Sequence, residues 1–264
     1  MANASINGKI VNGFSLSGSL VNGIAVDGVA IWTKSTGLPA GSLGLKNIGD
    51  VVKLNVNAVQ TEFIVAHKGL PSSMYVGFDN TVILVQKDLK DTKAMATANN
   101  NNYSASDMHV YLNGDYLNSI EAGVRSKIVD VKIPYRTGVT GWTINSGVNC
   151  LLCKVFNITG AEVGFPSTES YMPMDGSKFD YFLTGNAASG DGLLARQQRI
   201  AYRAGVEALY WLRTPNTANQ YTYHYVTAAG AYLNASSNVG NLYAPRPVFA
   251  LPETVKTDSN GVII

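Results

Sequence analysis

Tyr210-Trp-Leu-Arg-Thr-Pro215 and, about thirty residues further on, Arg246-Pro-Val-Phe-Ala-Leu-Pro252 are the two stretches whose reading decides the fold. Each is a short apolar run of strand character with proline at its boundaries. Pro215 and Pro247 cannot donate to a sheet ladder, so they mark strand ends. Each run also carries one arginine, Arg213 or Arg246, among apolar neighbours. These read as structural cations that reach backbone carbonyls or an acid such as Glu162 or Glu207. A second reading stays open, in which the pair binds a ligand carboxylate or phosphate.

The segment enclosed by the two runs, residues 216–243, contains no Lys, Arg, Asp or Glu and five of the 14 tyrosines. Tyr mixed with Ser, Asn and Gly is the composition of antibody-like paratopes. Tyr offers a large rigid contact with one hydrogen bond, and small polar residues adapt around it. In Tyr221-Thr-Tyr-His-Tyr225 an extended backbone puts the three rings on one side, as an aromatic platform for a sugar face or a protein ridge. The candidate contacts are Asn216, Asn219, Tyr221, Tyr223, His224, Tyr225, Tyr232, Asn234, Asn238, Asn241 and Tyr243, framed by Trp211, Arg213, Pro215, Arg246 and Pro247. The plainer reading is an ordinary antiparallel strand, since Tyr and Thr are good β residues whatever their task.

Outward from this segment, the chain predicts a mixed α+β domain over 45–264, without βαβ repeats. Strands are expected at 51–59, 61–67, 81–86, 129–134 and 151–158 from alternation or short apolar runs. Residues 95–106 are Ala/Asn-rich and predict an exposed loop. Short helices are expected at 109–120 and 124–128, and a longer one around 195–204, where Arg196, Arg199 and Arg203 would share a solvated face. Cys150 and Cys153 form a lone C-x-x-C, half of a zinc site or a redox pair. With His67, His109 and His224 scattered and no second Cys pair, reduced burial in a strand is the simpler reading.

Residues 1–34 hold a strict five-residue repeat, Gly8, Gly13, Gly18, Gly23 and Gly28, each after Asn7, Asn12, Ser17, Asn22 or Asp27. Such pairs tolerate the positive φ of two-residue hairpin turns. The repeat predicts a ribbon of very short strands that is marginal alone and docks on something else. The plainer reading is a flexible Gly-rich leader. Residues 35–44 read as a linker.

The two opening runs look like the signature pair of a phage-associated domain family of uncharacterised function. Gly49-Asp-Val-Val-Lys-Leu54, Phe63-Ile-Val-Ala-His-Lys-Gly69, Val131-Lys-Ile-Pro-Tyr135, Lys154-Val-Phe156 and Glu162-Val-Gly164 fit it as well. That family is similar to the C-type-lectin-like folds of variable phage and bacterial display proteins, including those diversified by retroelements. The resemblance implies a variable segment between a Trp-rich strand and a terminal Arg-Pro strand. This chain has Ala244-Pro245-Arg246-Pro247 where Gly-x-Arg-Pro is usual, which alters one turn. Adenine-directed mutation of Asn-type codons yields Tyr, Ser, His, Asp, Thr and Asn, a mixture like 216–243. The leader resembles those that open many tail-fibre and tail-tip proteins.

Only 14% of residues are charged and the net charge is +2, against 46% hydrophobic. That gives no case for nucleic acid, and low charge suits a subunit partly covered by neighbours. No apolar run approaches a membrane span. No basic start or apolar core of a signal peptide is present, so synthesis in the host cytoplasm and release by lysis are expected. No nucleophile elbow, phosphate loop, dinucleotide fingerprint or zinc-protease helix occurs, and no metal or cofactor is expected. The expectation is a non-enzymatic virion protein, a tail-tip or tail-fibre receptor-binding homotrimer that recognises a host surface glycan or protein and joins other virion proteins through its leader. The alternative is a structural virion protein, a head fibre or decoration protein, without receptor binding.

Overall fold

A computed structural model describes residues 37–98, 102–136, 144–146, 149–166, 174–216, 218–219, 221–232 and 236–264, together with the backbone pairing of six leader strands. The chain divides after Pro39 into two compact units. In the first, β1 (Ala4–Ile6) pairs with β2 (Lys9–Val11), β3 (Ser15–Leu16) with β4 (Ser19–Leu20), and β5 (Gly23–Val26) with β6 (Val29–Thr33), all antiparallel. These are the very short strands the repeat predicts. The turn reading of Asn7-Gly8, Ser17-Gly18 and Asp27-Gly28 falls outside the described residues.

The second unit opens with β7 (Val51–Val56) and β8 (Val59–Lys68). The strand expected over 51–59 is cut at Asn57 and Ala58, whose φ values of 51° and 61° make a two-residue turn of the type that matches strand twist. β9 (Thr81–Gln86) follows, buried at every position. The helix predicted at 109–120 is α1 (Asp107–Tyr111), a π turn over Leu112–Tyr116 and α2 (Leu117–Ser119), and the one predicted at 124–128 is α3 (Ala122–Arg125), which starts and ends sooner. The π turn presents Asn113, whose amide donates to Val155 O (2.9 Å) and accepts from the N–H of Lys154 (2.9 Å) and Val155 (3.1 Å).

β10 (Val131–Ile133), β11 (Tyr135–Arg136), β12 (Ile144–Asn145), β13 (Leu151–Cys153) and β14 (Val155–Asn157) come next. The helix expected at 195–204 is α4 (Asp191–Arg199), which ends sooner because β15 (Ala201–Arg203) and β16 (Val206–Ala208) form a hairpin. No arginine stripe results: Arg199 is fully buried and Arg203 lies in a strand. β17 (Tyr210–Pro215), β18 (Thr222–Val226) and β19 (Ser236–Asn238) form a three-stranded sheet. β20 (Pro247–Pro252) completes a five-stranded antiparallel sheet of order β14-β20-β9-β8-β7.

The unit is mixed, with 35% strand against 16% helix. Its two ends meet: Leu43 N–H donates to Val255 O (2.7 Å), and Ile263 N–H to Lys53 O (2.9 Å). The core is continuous from Phe63, edge-on to Phe249 at 5.2 Å, to Phe156, Trp211 and Tyr223. The loop expected at 95–106 is partly core: Met95, Ala96, Tyr103 and Ser106 are buried, and Tyr103 Oη accepts from Asn157 N–H. Cys153 is buried in β13, which pushes its thiol up to about 12, whereas Cys150 is half-buried and its thiol donates to Met74 O. No helix among the described residues is long and apolar enough to cross a membrane.

Candidate binding surface

The signature arginines are structural. Arg213 Nη2 and Nη1 grip Glu162 at 2.6 and 2.9 Å, with neither side chain exposed. Of the two acids considered for this role, Glu162 fills it and Glu207 is exposed on β16. Arg246 donates to Gln86 O, Arg199 O and Tyr210 Oη, beneath the Tyr210 ring at 4.8 Å. Both guanidinium groups are enclosed by protein, so the ligand-anion reading of Arg213 and Arg246 is set aside. Trp211 is buried and donates Nε1–H to Lys93 O (2.9 Å). Pro215 ends β17 and Pro247 begins β20.

The three-ring platform does not form. β18 is the central strand of its sheet, held by β17 on one side and β19 on the other, and it is covered on both faces. Tyr223 and His224 are wholly buried, and only Tyr221, in the turn before β18, is well exposed at 41%. Tyr232 is also core: it packs on Phe165 at 5.5 Å, and its backbone is gripped from both sides by the Asn186 amide. Tyr223, His224 and Tyr232 therefore leave the set of contact residues.

The asparagines largely build turns. Asn216 Oδ1 accepts from Ala218 N–H and its amide donates to Ser236 Oγ. Asn219 Oδ1 accepts from Tyr221 N–H, and Asn238 Oδ1 from Gly240 N–H. This is how Asn stabilises short loops. Asn219, Asn238 and Asn241 are nonetheless exposed, and Asn234 lies outside the described residues.

What remains at the surface is a paired aromatic step. Tyr243 stands between Trp211 (4.6 Å) and Tyr225 (5.2 Å), half-buried, and its hydroxyl accepts from Ser237 Oγ at 2.9 Å. Asn241 Nδ2 donates in turn to Ser237 Oγ. Burial, and then the neighbouring Tyr243, push the Tyr225 hydroxyl upward, which leaves it a neutral donor at physiological pH.

Beside the Tyr243 ring runs a groove of about 530 Å³, lined among others by Val206, Ala208, Leu242, Tyr243 and Ala244, with Arg203 and Glu207 at its rim. Val206 and Leu242, 68% and 64% exposed, are the apolar lips. The hairpin that supplies Val206 turns at Ala204 and Gly205, both at positive φ (52° and 79°). Sequence reasoning missed this wall. Its signal was the Ala204-Gly205 turn flanked by short β-forming runs, which the helical pattern upstream obscured.

The family described as Domain of unknown function (DUF6273) matches residues 79–253, about two thirds of the chain. The chain belongs to this family. The DUF6273 span contains β9 to β20, both opening runs and the groove, and leaves out the leader and the β7–β8 hairpin. Neither the curated proteins nor the solved structures contain a match.

Proposed function

We propose that the protein is a bacteriophage virion component, a receptor-binding protein of the tail tip or tail fibre, and that it recognises a host surface receptor through the Tyr225–Tyr243 step, the adjoining groove and the exposed Tyr221, Asn219, Asn238 and Asn241. The observation that carries this reading is the half-buried ring pair beside an apolar groove, in a segment free of charged side chains. An uncharged aromatic surface on strands whose own packing is fixed meets little ordering entropy on binding. We further read the 40–264 unit as C-type-lectin-like. The meeting of its two ends and the Arg-Pro strand inside the main sheet support that reading. The leader hairpins suit attachment to other virion proteins, and a homotrimer fits such a role. No catalytic role is assigned.

The second reading, a head fibre or decoration protein, is favoured by one observation: the two most prominent groove lips, Val206 and Leu242, are aliphatic, as at a subunit contact. Competition separates the two. Purified protein that blocks adsorption of the parent phage to its host supports receptor binding. Protein that leaves adsorption unchanged at saturating concentration supports the structural reading.

A further inference from the structure

We propose that the groove receives an extended stretch of a partner polypeptide, added as a strand to the free edge of β16. This rests on the reading above that the face binds, and it names the form of what is bound.

Among the described residues, β16 is paired on one side only. Its neighbour β15 turns Tyr202 toward the 87–89 segment: Tyr202 N–H donates to Lys87 O (3.2 Å) and Leu89 N–H to Tyr202 O (2.6 Å). Antiparallel partners alternate between bonded and non-bonded pairs, so Tyr202 and the opposite Glu207 form a non-bonded pair. The N–H and C=O of Glu207 therefore point away from β15. Neither meets a partner among the described residues. An edge of this kind is a template for another chain.

The groove follows that edge. Residues 206–209 all line it, and so, opposite, do 242–244. Consecutive strand residues face opposite sides of a sheet, so a cavity that touches 206–209 reaches the free edge of β16, and Arg203 and Ala204 close it at the turn end of the hairpin. Three residues of strand cover about 10 Å, enough for one backbone pair of bonds at Glu207 and a side chain on either side of it.

The lining selects the occupant. Val206, Ala208, Leu209, Leu242 and Ala244 are aliphatic and suit alternate aliphatic side chains. Arg203 and Glu207 put one charge of each sign on the rim, which disfavours a polymer of uniform charge. Main-chain bonds for affinity with pockets for alternate side chains is the arrangement of strand addition.

The test is selection of a random peptide library on the immobilised full-length protein, followed by synthesis of the enriched peptide. The expected result is a peptide with apolar residues at alternate positions and saturable binding. It should slow hydrogen exchange at the Glu207 amide about tenfold and bind about tenfold more weakly to the Val206→Asp variant. Val206 is exposed, so this variant keeps the fold. No enrichment, or a peptide that neither protects Glu207 nor senses Val206→Asp, overturns the proposal. If the same preparation still binds cells through Tyr225 and Tyr243, the receptor-binding reading stands without it; if cell binding is absent too, both fall.

Discussion

Arg213 and Glu162 face each other across the core in a two-point ion pair of 2.6 and 2.9 Å, with both side chains wholly buried. Glu162 also accepts from Tyr75 Oη (2.7 Å) and from Thr159 N–H (2.9 Å), so one carboxylate ties β17 to the loop between β8 and β9 and to the turn after β14. A pair so enclosed contributes little net stability when whole, but a lone partner is costly.

Glu162→Gln and Arg213→Met should therefore each destabilise the protein by about 3–5 kcal/mol. The double variant should cost clearly less than their sum. Urea unfolding followed by tryptophan fluorescence measures all three. Additive losses would mean that the two residues do not act as a pair.

Asp175 supplies a pH signature. Burial, opposed by Arg213, raises its carboxyl to about 6, with Glu162, Thr214 and Arg136 as its other neighbours. Its folded value lies above the unfolded one of about 3.9, so the folded state holds the proton more tightly. Its contribution is full below about pH 4, declines as pH rises to about 6, and is level above that. Asp175→Asn should remove this decline, with a gain over the wild type of about 3 kcal/mol at pH 7. Stability curves of both proteins between pH 4 and pH 8 decide it, and parallel curves would contradict the assignment.

Tyr223 separates packing from hydrogen bonding. The ring is fully buried, and its hydroxyl finds no hydrogen-bond partner among the described residues. Tyr223→Phe should change stability by less than about 1 kcal/mol, whereas Tyr223→Ala should cost about 3–5 kcal/mol through the cavity it leaves. Cell binding by Tyr223→Phe should equal that of the wild type. A binding loss in that variant would return the residue to the contact surface.

Much of the fold was readable before the structure. The apolar 82–85 run, the Pro-bounded runs and the five-residue Gly spacing of the leader are local patterns that local geometry enforces. Burial across the sheet was not readable. Tyr223 looks like a surface ring because its strand alternates, but β19 adds on its outer side and loops cover both faces, and those are long-range pairings. Arg199 was similarly opaque: its charge predicts solvent, while Gly230 O, Val163 O and Gly185 O together take up its donors in the core. Val206 joined the candidate surface only because the hairpin folds back beside Leu242.

Gly230 marks one such long-range constraint. It sits at φ 72°, and a Cβ there would collide with Arg196 O, while its own carbonyl accepts from Arg199 Nε. Gly230→Ala should destabilise by about 3 kcal/mol or more, beyond the ordinary cost of Ala at positive φ, because the α4 backbone must shift. Thermal unfolding reads it directly, and a stability change under about 1 kcal/mol would show that the loop adjusts freely.

The most direct test of the central claim is equilibrium binding of labelled full-length protein to the host bacterium, comparing wild type with a Tyr225→Ala/Tyr243→Ala variant whose circular dichroism is native. Removal of two aromatic contacts at the centre of an interface typically costs 2 kcal/mol or more, about thirtyfold in affinity. The account predicts saturable binding by the wild type and a loss of at least that size in the variant. Equal binding by the two folded proteins would contradict it and place the receptor contact elsewhere on the chain.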